Sequence, residues 1–394
     1  MRAECARCSE ACLPVPIINS IADLRDLARK RVPGAIFEYA HRGAYDELTL
    51  ARNRHDLDAL ALRQRVMVDL SKLSLATTVL GESWSMPLSI APTGLTGLFH
   101  RNGEMEGARA AHAAGVQFCL STMSICSIED VASAVTKPFW FQLYLMRDRS
   151  FNKELIDRAK AAKCSALMLT LDLQVQGLRR RDAKNGLSIP PRLTFRNALD
   201  IATKPRWALS VLLGKRRTFG NLEARMSGSA LKTLSQWIAT QFDPAVTWKD
   251  IEWVRSHWPG KLVVKGILDE QDAKLACEAG VDALVVSNHG GRQLDSAPST
   301  ISMLPRIADA VDGRCEVLFD GGVQSGQDVL KALALGARAC LIGKSFLYAL
   351  AAMGGPGVSL ALEIMRKELE VSMALAGKVD VRQVDEAVIV GHDS

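Results

Sequence analysis

Residues 262–287 read LVVKGILDEQDAKLACEAGVDALVVS. This stretch opens on an apolar run, 262–265, passes through a helical pattern over 270–279, and returns to a second apolar run at 283–287. Neither run alternates apolar with polar residues, so each reads as a strand buried on both faces, as in a parallel sheet covered by helices. Six more runs of the same texture lie at 87–91, 116–120, 139–143, 166–171, 316–319 and 338–342. Helical patterns separate them, as at 104–114, 152–162 and 327–335. Consecutive runs start 21 to 33 residues apart, except for a gap of 96 between the fourth and fifth. Eight such strands alternating with helices make an α/β protein and favour a closed (β/α)8 TIM barrel over an open doubly wound sheet.

The chain has 394 residues, 48% of them hydrophobic and 23% charged, ordinary globular usage that excludes a disordered or collagen-like chain. A formal charge of +6 is modest, and no zinc-finger, RNP or basic-zipper pattern appears, so nucleic acid is not an expected partner. The longest stretch free of charged residues and histidine, 345–362, is cut in half by Gly354-Gly355-Pro356-Gly357. It is expected to be a strand–loop–helix junction and not a membrane span. Cys119, Cys126, Cys164, Cys277, Cys315 and Cys340 sit among apolar residues, where free cysteine behaves as a small buried hydrophobe. Met1-Arg2-Ala3-Glu4 has no apolar signal-peptide core, which makes a reducing cytoplasm the expected compartment. Cys5, Cys8 and Cys12 are clustered but lack a fourth ligand, so a loose tail without metal is expected there.

Three segments follow from these patterns: a tail, 1–15; an N-terminal helical segment, 16–86, covering the barrel; and the barrel itself, 87–380. In the second, Ile21, Leu24, Leu27 and Ala28 share one helical face, and Pro33 separates a short helix at 35–40. The long gap after the fourth strand holds an insertion, 179–232, with 13 Lys and Arg against 3 Asp and Glu. Inside it the apolar run Trp207 to Leu213 is flanked by Lys204 and Arg206 on one side and by Lys215-Arg216-Arg217 on the other. An apolar patch bracketed by cations suits the surface of an anionic bilayer, with contact over 193–219; the alternative is a loop docked on the barrel.

Chemistry in this architecture sits at the C-terminal ends of the strands. The first strand is followed by Pro92-Thr93-Gly94 and the second by Ser121; the third leads through Gln142 to Tyr144. Thr170-Leu171-Asp172 ends the fourth, with Arg179 seven residues on, and Lys265 ends the fifth. The sixth runs into Ser287-Asn288-His289-Gly290-Gly291-Arg292, the seventh into Asp320-Gly321-Gly322-Val323-Gln324, and the eighth into Gly343-Lys344. An imidazole is the usual proton acceptor near neutral pH, and two glycines open space beside His289. Asp172 would hold the imidazolium that forms, and arginine pairs bidentately with a carboxylate. Lys265 would either form a Schiff base or stabilise charge on a bound ring. The glycine-rich last two ends fall where barrels commonly hold phosphate.

As an ordered set, Thr93-Gly94, Gln142-x-Tyr144, Thr170-x-Asp172, Lys265, Ser287 to Arg292 and Asp320-Gly321-Gly322 resemble the FMN-dependent L-2-hydroxy-acid dehydrogenase/oxidase family. That family includes glycolate oxidase, L-lactate dehydrogenase and mandelate dehydrogenase, and the resemblance runs roughly from Ile21 to Gly377. It implies FMN contacts from Pro92, Thr93, Gly94, Ser121, Gln142, Thr170 and Ser287, with Lys265 beside the N1/O2 edge of the flavin. Asp320, Gly321, Gly322, Val323, Gln324, Gly343 and Lys344 complete the implied cofactor site. Tyr39, Arg179 and Arg292 would hold the substrate carboxylate and Tyr144 its hydroxyl. His289 would be the base that starts oxidation at C2, by a carbanion or a hydride route, with Asp172 supporting it. The basic insertion is similar to the segment that ties membrane-associated lactate and mandelate members to the bilayer, which implies a quinone or cytochrome acceptor. A homotetramer is also implied.

Two positions depart from the family pattern, which has arginine where this chain has Gln324 and where Lys344 follows Gly343. Loss of a charge and of a planar fork is expected to weaken FMN binding by about 1–3 kcal/mol per charge-assisted contact. The expected activity is oxidation of an L-2-hydroxy acid, L-lactate first, with electrons passed to a membrane quinone or cytochrome. The alternatives are a soluble oxidase that releases hydrogen peroxide and a flavin-poor barrel that serves as a scaffold.

Overall fold

The computed structural model describes residues 17–186, 195–216, 218–223 and 241–391. The cysteine cluster at 5–12 and parts of the basic insertion lie outside the described residues. Three helices come first: α1 (Ile21–Arg31), α2 (Gly34–His41) and α3 (Leu48–Ala59). Ser20 caps α1, its hydroxyl accepting the Asp23 N–H at 3.2 Å. An antiparallel hairpin follows, β1 (Thr77–Val79) and β2 (Glu82–Trp84).

Eight parallel strands then close into a barrel, which is the (β/α)8 fold the apolar runs predict. They are β3 (Leu88–Ile90), β4 (Gln117–Ser121), β5 (Trp140–Leu143), β6 (Ala166–Thr170), β7 (Lys261–Ile267), β8 (Ala283–Val286), β9 (Glu316–Phe319) and β10 (Ala339–Ile342), with β10 pairing back onto β3. Helices α4 (Gly103–Ala114), α5 (Ile128–Ala134) and α6 (Arg149–Ala161) connect the first four strands. The insertion carries α7 (Arg180–Lys184), α8 (Phe195–Ala202) and α9 (Pro205–Leu212), and α10 (Lys249–His257) leads into β7. After it come α11 (Glu270–Glu278), α12 (Thr300–Val311), α13 (Gly326–Ala334), α14 (Lys344–Met353) and α15 (Gly355–Leu375).

Alternation along the strands divides the core in two. Outward residues such as Phe141, Leu167, Leu262, Leu284 and Phe319 pack beneath the helices, while Cys119, Trp140, Met168, Val263, Val285, Leu318 and Leu341 fill the barrel interior. The interior is closed from below by the hairpin. Val79, Leu80 and Trp84 join the inner cluster, and the Trp84 and Trp140 rings lie 5.6 Å apart. Gln117 Nε2 donates to Glu82 at 2.8 Å, and the Leu80 N–H donates to Glu316 at 3.1 Å.

Three local expectations change. The segment 16–86 is not wholly helical, because three-residue strands joined at Leu80-Gly81, both in the left-handed region, leave no periodic signal. Residues 345–362 are helical on both sides of Gly354, which breaks the chain between α14 and α15 with φ +66°. Cys277 and Cys315 are half-buried, with their sulfurs 3.5 Å apart, unlike the other four scattered cysteines, which are buried.

Candidate active site

The last inward position on the strands is where the interior turns polar. Two residues beyond the apolar Cys119, Trp140, Met168, Val263, Val285, Leu318 and Leu341 stand Ser121, Gln142, Thr170, Lys265, Ser287, Asp320 and Gly343. Ser121, Lys265, Asp320 and Gly343 of this layer border a cavity of about 880 Å³ at the C-terminal mouth of the barrel, a size within the range of cofactor pockets. Pro92, Thr93, Gly94, Ser121, Lys265, Asp320, Gly321, Gly322, Val323, Gln324, Gly343 and Lys344 line it, and so do Tyr39, Tyr144, Arg179, His289 and Arg292. The remaining expected residues stand one layer behind. Gln142 receives the Ser121 hydroxyl at 3.0 Å, Ser287 accepts from Lys265 Nζ at 2.7 Å, and Thr170 is paired in register with Lys265.

Lys265 is buried and survives there as a cation because Asp320 lies 2.8 Å away. Burial alone would lower its pKa, but the carboxylates of Asp320 and Asp172 raise it. His289 Nδ1 lies 3.0 Å from Asp172 Oδ1, which leaves Nε2 free for a proton. Burial holds the imidazole below its ordinary pKa of 6.5, against the pull of Asp172. His289 itself sits in the left-handed region at φ +58°, followed by Gly290 at +64° and Gly291 at +73°. A bulky residue held there stores backbone strain, as is common at functional sites. The approach of β7 to Asp172 depends on Gly266: at φ +105°, a Cβ there would lie 2.6 Å from the Asp172 Cβ.

Cations gather at the other side of the mouth. Arg292 packs over the Tyr39 ring at 4.8 Å and donates to the Tyr39 and Arg42 carbonyls, while Arg179 Nε reaches the Arg292 carbonyl at 3.5 Å. Burial, reinforced by Arg179, pushes the Arg292 pKa down to about 10. Lys344 donates to the His41 carbonyl at 3.0 Å and is held well below the usual lysine range by burial and by Arg292. Such crowded positive charge is what an anionic ligand relieves.

The residues present fit FMN. Gln142 Nε2 is buried without a partner in the protein, as is Asp320 Oδ1, so both would meet polar atoms of a bound ring. Lys265 faces the cavity from beneath, and Lys344 stands at the glycine-rich end where a phosphate would lie. Sequence reasoning did not single out Arg54, Asp182 or Phe242, which also line the cavity. Arg54 places a guanidinium near Gln324, yet Asp328 engages it twice at 2.7 Å, so it does not replace the missing arginine. Asp182 is a buried carboxyl raised by burial, on α7 within the insertion. Phe242 follows the undescribed part of that insertion, and its place gives no local sequence signal.

Two outcomes follow from this geometry. Replacing Gln324 and Lys344 together by arginine should tighten FMN binding about tenfold or more, the worth of one charge-assisted contact, in a fluorescence titration. Unchanged affinity would mean these positions do not face the phosphate. Gly266→Ala should displace Asp172 and slow substrate-driven flavin reduction about 10²-fold, the effect of a misplaced catalytic group. A wild-type rate would show that Gly266 has no part in orienting Asp172 and His289.

Comparison with known proteins agrees with the barrel fold. The sequence pattern of the FMN-dependent dehydrogenase family matches residues 28–391. An L-lactate dehydrogenase of Caulobacter sp. (strain K31) is 46% identical over 379 residues, which cover 96% of this chain and 100% of that one. Another, from Caulobacter vibrioides (strain NA1000 / CB15N), is 48% identical over 375 residues, covering 95% and 98% of the two chains. Among solved structures, the monotopic membrane protein (S)-mandelate dehydrogenase superposes with a TM-score of 0.90 at 36% identity, covering 95% of this chain and 99% of that one. A mandelate oxidase gives 0.80 at 38% identity, covering 93% and 96%. A match over nearly the whole chain, on a barrel whose mouth fits the cofactor, places this protein in the FMN-dependent dehydrogenase family.

Proposed function

We propose that the protein oxidises an L-2-hydroxy acid to the 2-oxo acid, with L-lactate the first substrate to try. The observation that carries this reading is His289, tied to Asp172 at 3.0 Å in a cavity shared with the guanidinium groups of Arg179 and Arg292. A 2-hydroxy acid requires both features: cations for its carboxylate and a neutral base for its proton. Relatives named L-lactate dehydrogenase, at 46% and 48% identity, support the choice of acid.

Bound FMN supplies the acceptor for the two electrons. Arg179 and Arg292 draw in the carboxylate, with Tyr39 beside them. Tyr144 is buried and its hydroxyl is kept protonated by burial and by Asp172, so it donates to the substrate oxygen. His289 Nε2 takes the proton that leaves the substrate. Burial opposes ionisation of Asp172, but the attraction of His289 and its hydrogen bond outweigh it, so the carboxylate is in place to stabilise the imidazolium.

The electrons pass on to a membrane quinone or cytochrome, with the enzyme peripheral on the inner face of the cell membrane. The insertion supports this placement. Among the described residues no helix is long and apolar enough to cross a membrane, but Phe195, Leu199, Leu209, Leu212 and Leu213 are exposed along α8 and α9. The same helices dock on the body of the protein, because Trp207 donates to the Leu98 carbonyl at 2.7 Å and Lys204 to the Lys30 carbonyl at 2.8 Å. Trp207 therefore anchors the segment while the leucines face outward. Lys215 and Arg216 pair with Asp130, which spends part of the basic flank within the fold. A homo-oligomer, a tetramer by family resemblance, completes the reading and is open to light scattering.

His289→Gln should lower lactate-driven reduction of a soluble quinone analogue by about 10²–10⁴-fold while FMN content is retained. In the wild type, the acid limb of kcat/KM should fall below pH 6.5, because the base must be neutral and its pKa is lowered. A limb above that value, or a variant that keeps its rate, contradicts the role of His289. Oxygen uptake as fast as reduction of the quinone analogue would assign a peroxide-forming oxidase instead. Deleting 204–217 should abolish the salt-sensitive flotation of the protein with anionic vesicles; equal flotation of the deletion variant removes the membrane contact.

A further inference from the structure

A 2-hydroxy acid carries three groups at C2 besides hydrogen. Arginines meet the carboxylate and the His289–Tyr144 side meets the hydroxyl, so the third group, the side chain, is left to the apolar wall. We propose that Phe242 sets the size of that side chain, and that it fits a short aliphatic group in preference to an aryl ring. The inference rests on the hydroxy-acid reading above and names the substrate class within it.

Phe242 lines the cavity that contains His289, Arg179 and Arg292. Its ring meets that of Tyr144 in a T-shaped contact, with centroids 5.7 Å apart and planes at 84°. What distinguishes it is how firmly its backbone is held. Phe242 forms a β-bridge with Met146, and the Arg147 N–H donates to the Gln241 carbonyl at 2.8 Å. Arg147 Nε reaches the Phe242 carbonyl at 3.2 Å. One residue on, Asp243 pairs at 3.1 Å with Arg149, which also holds Asp250 of α10 at 2.7 Å. Tyr144 leads the same loop after β5, so the two rings are carried by segments stitched to each other. The Phe242 backbone retreats only if several of these bonds break, and the ring is braced against Tyr144.

Met123 is a different kind of neighbour. It also lines the cavity, and its Cβ lies 3.1 Å from where a Cβ on Gly94 would stand. An unbranched thioether changes rotamer readily and yields to what is bound. Where an adaptable residue and a fixed one share a cavity, the fixed one determines the limit. Replacing the methyl group of lactate with a phenyl ring would bring it against the fixed ring of Phe242.

The test uses wild type, Phe242→Ala and Phe242→Leu, each loaded with excess FMN. L-Lactate and (S)-mandelate are compared by kcat/KM under argon with a soluble quinone analogue as electron acceptor. In parallel, propionate and phenylacetate, which lack the hydroxyl, are titrated against the flavin spectrum as non-reacting analogues. Wild type should favour lactate and propionate. Phe242→Ala should raise the mandelate-to-lactate ratio at least about tenfold, with phenylacetate binding improved in step and the Leu variant in between. A ratio that moves less than about twofold in both variants, with lactate turnover intact, overturns the proposal and leaves the hydroxy-acid reading standing. So does a wild type that already prefers mandelate. If neither acid reduces the flavin in wild type, the hydroxy-acid reading itself fails; the analogue titrations then decide on the wall, and unchanged phenylacetate binding in the variants overturns it.

Discussion

Side chains alternate along a strand, and in a closed barrel that period of two decides what the interior holds. Here it sets one polar layer over an apolar one. Trp140, Met168, Val263, Val285 and Leu318 fill the space below, and two residues on each strand brings Gln142, Thr170, Lys265, Ser287 and Asp320 to the mouth. A slip of one residue on any strand would press its polar member against the helices. The hairpin carrying Trp84 closes the lower end, so the polar layer has a single open side, toward the cavity. Lysine is tolerated in such a place because Asp320 and Ser287 engage its three donors in part and leave the rest facing the ligand.

Charge gives this layer its direction. Lys265 and His289 stand with Asp320 and Asp172 as two paired sets, whereas Arg292 is pressed by burial and by Arg179, and Lys344 by burial and by Arg292. The first arrangement is nearly neutral and suits proton and electron movement. The second is poised for anions, and an arriving carboxylate or phosphate lifts the penalty that burial imposes on both groups. On the proposed reading, binding and base catalysis are thus separated across one cavity.

Much of this was legible in the sequence, for a physical reason. Strands buried on both faces are continuous apolar runs, so eight of them announced the barrel, and polar residues ending those runs marked the mouth. The hairpin at 77–84 escaped notice because three-residue strands lack a clear period. Trp207 looked like part of an outward apolar patch, yet its indole N–H needed an acceptor and found the Leu98 carbonyl. Gly266 and Phe242 could not be singled out from local pattern. The importance of Gly266 lies in its contact with Asp172, that of Phe242 in its contact with Tyr144, and both contacts join residues far apart in the chain.

The central claim is that this polar layer holds a flavin and delivers to it the electrons of a 2-hydroxy acid. Its most direct test is an anaerobic titration of the FMN-loaded protein with L-lactate, followed at the visible band of the bound flavin. The account predicts loss of that band with the stoichiometry of a two-electron donor. A bound flavin that stays oxidised through an excess of L-lactate and of other L-2-hydroxy acids would contradict it.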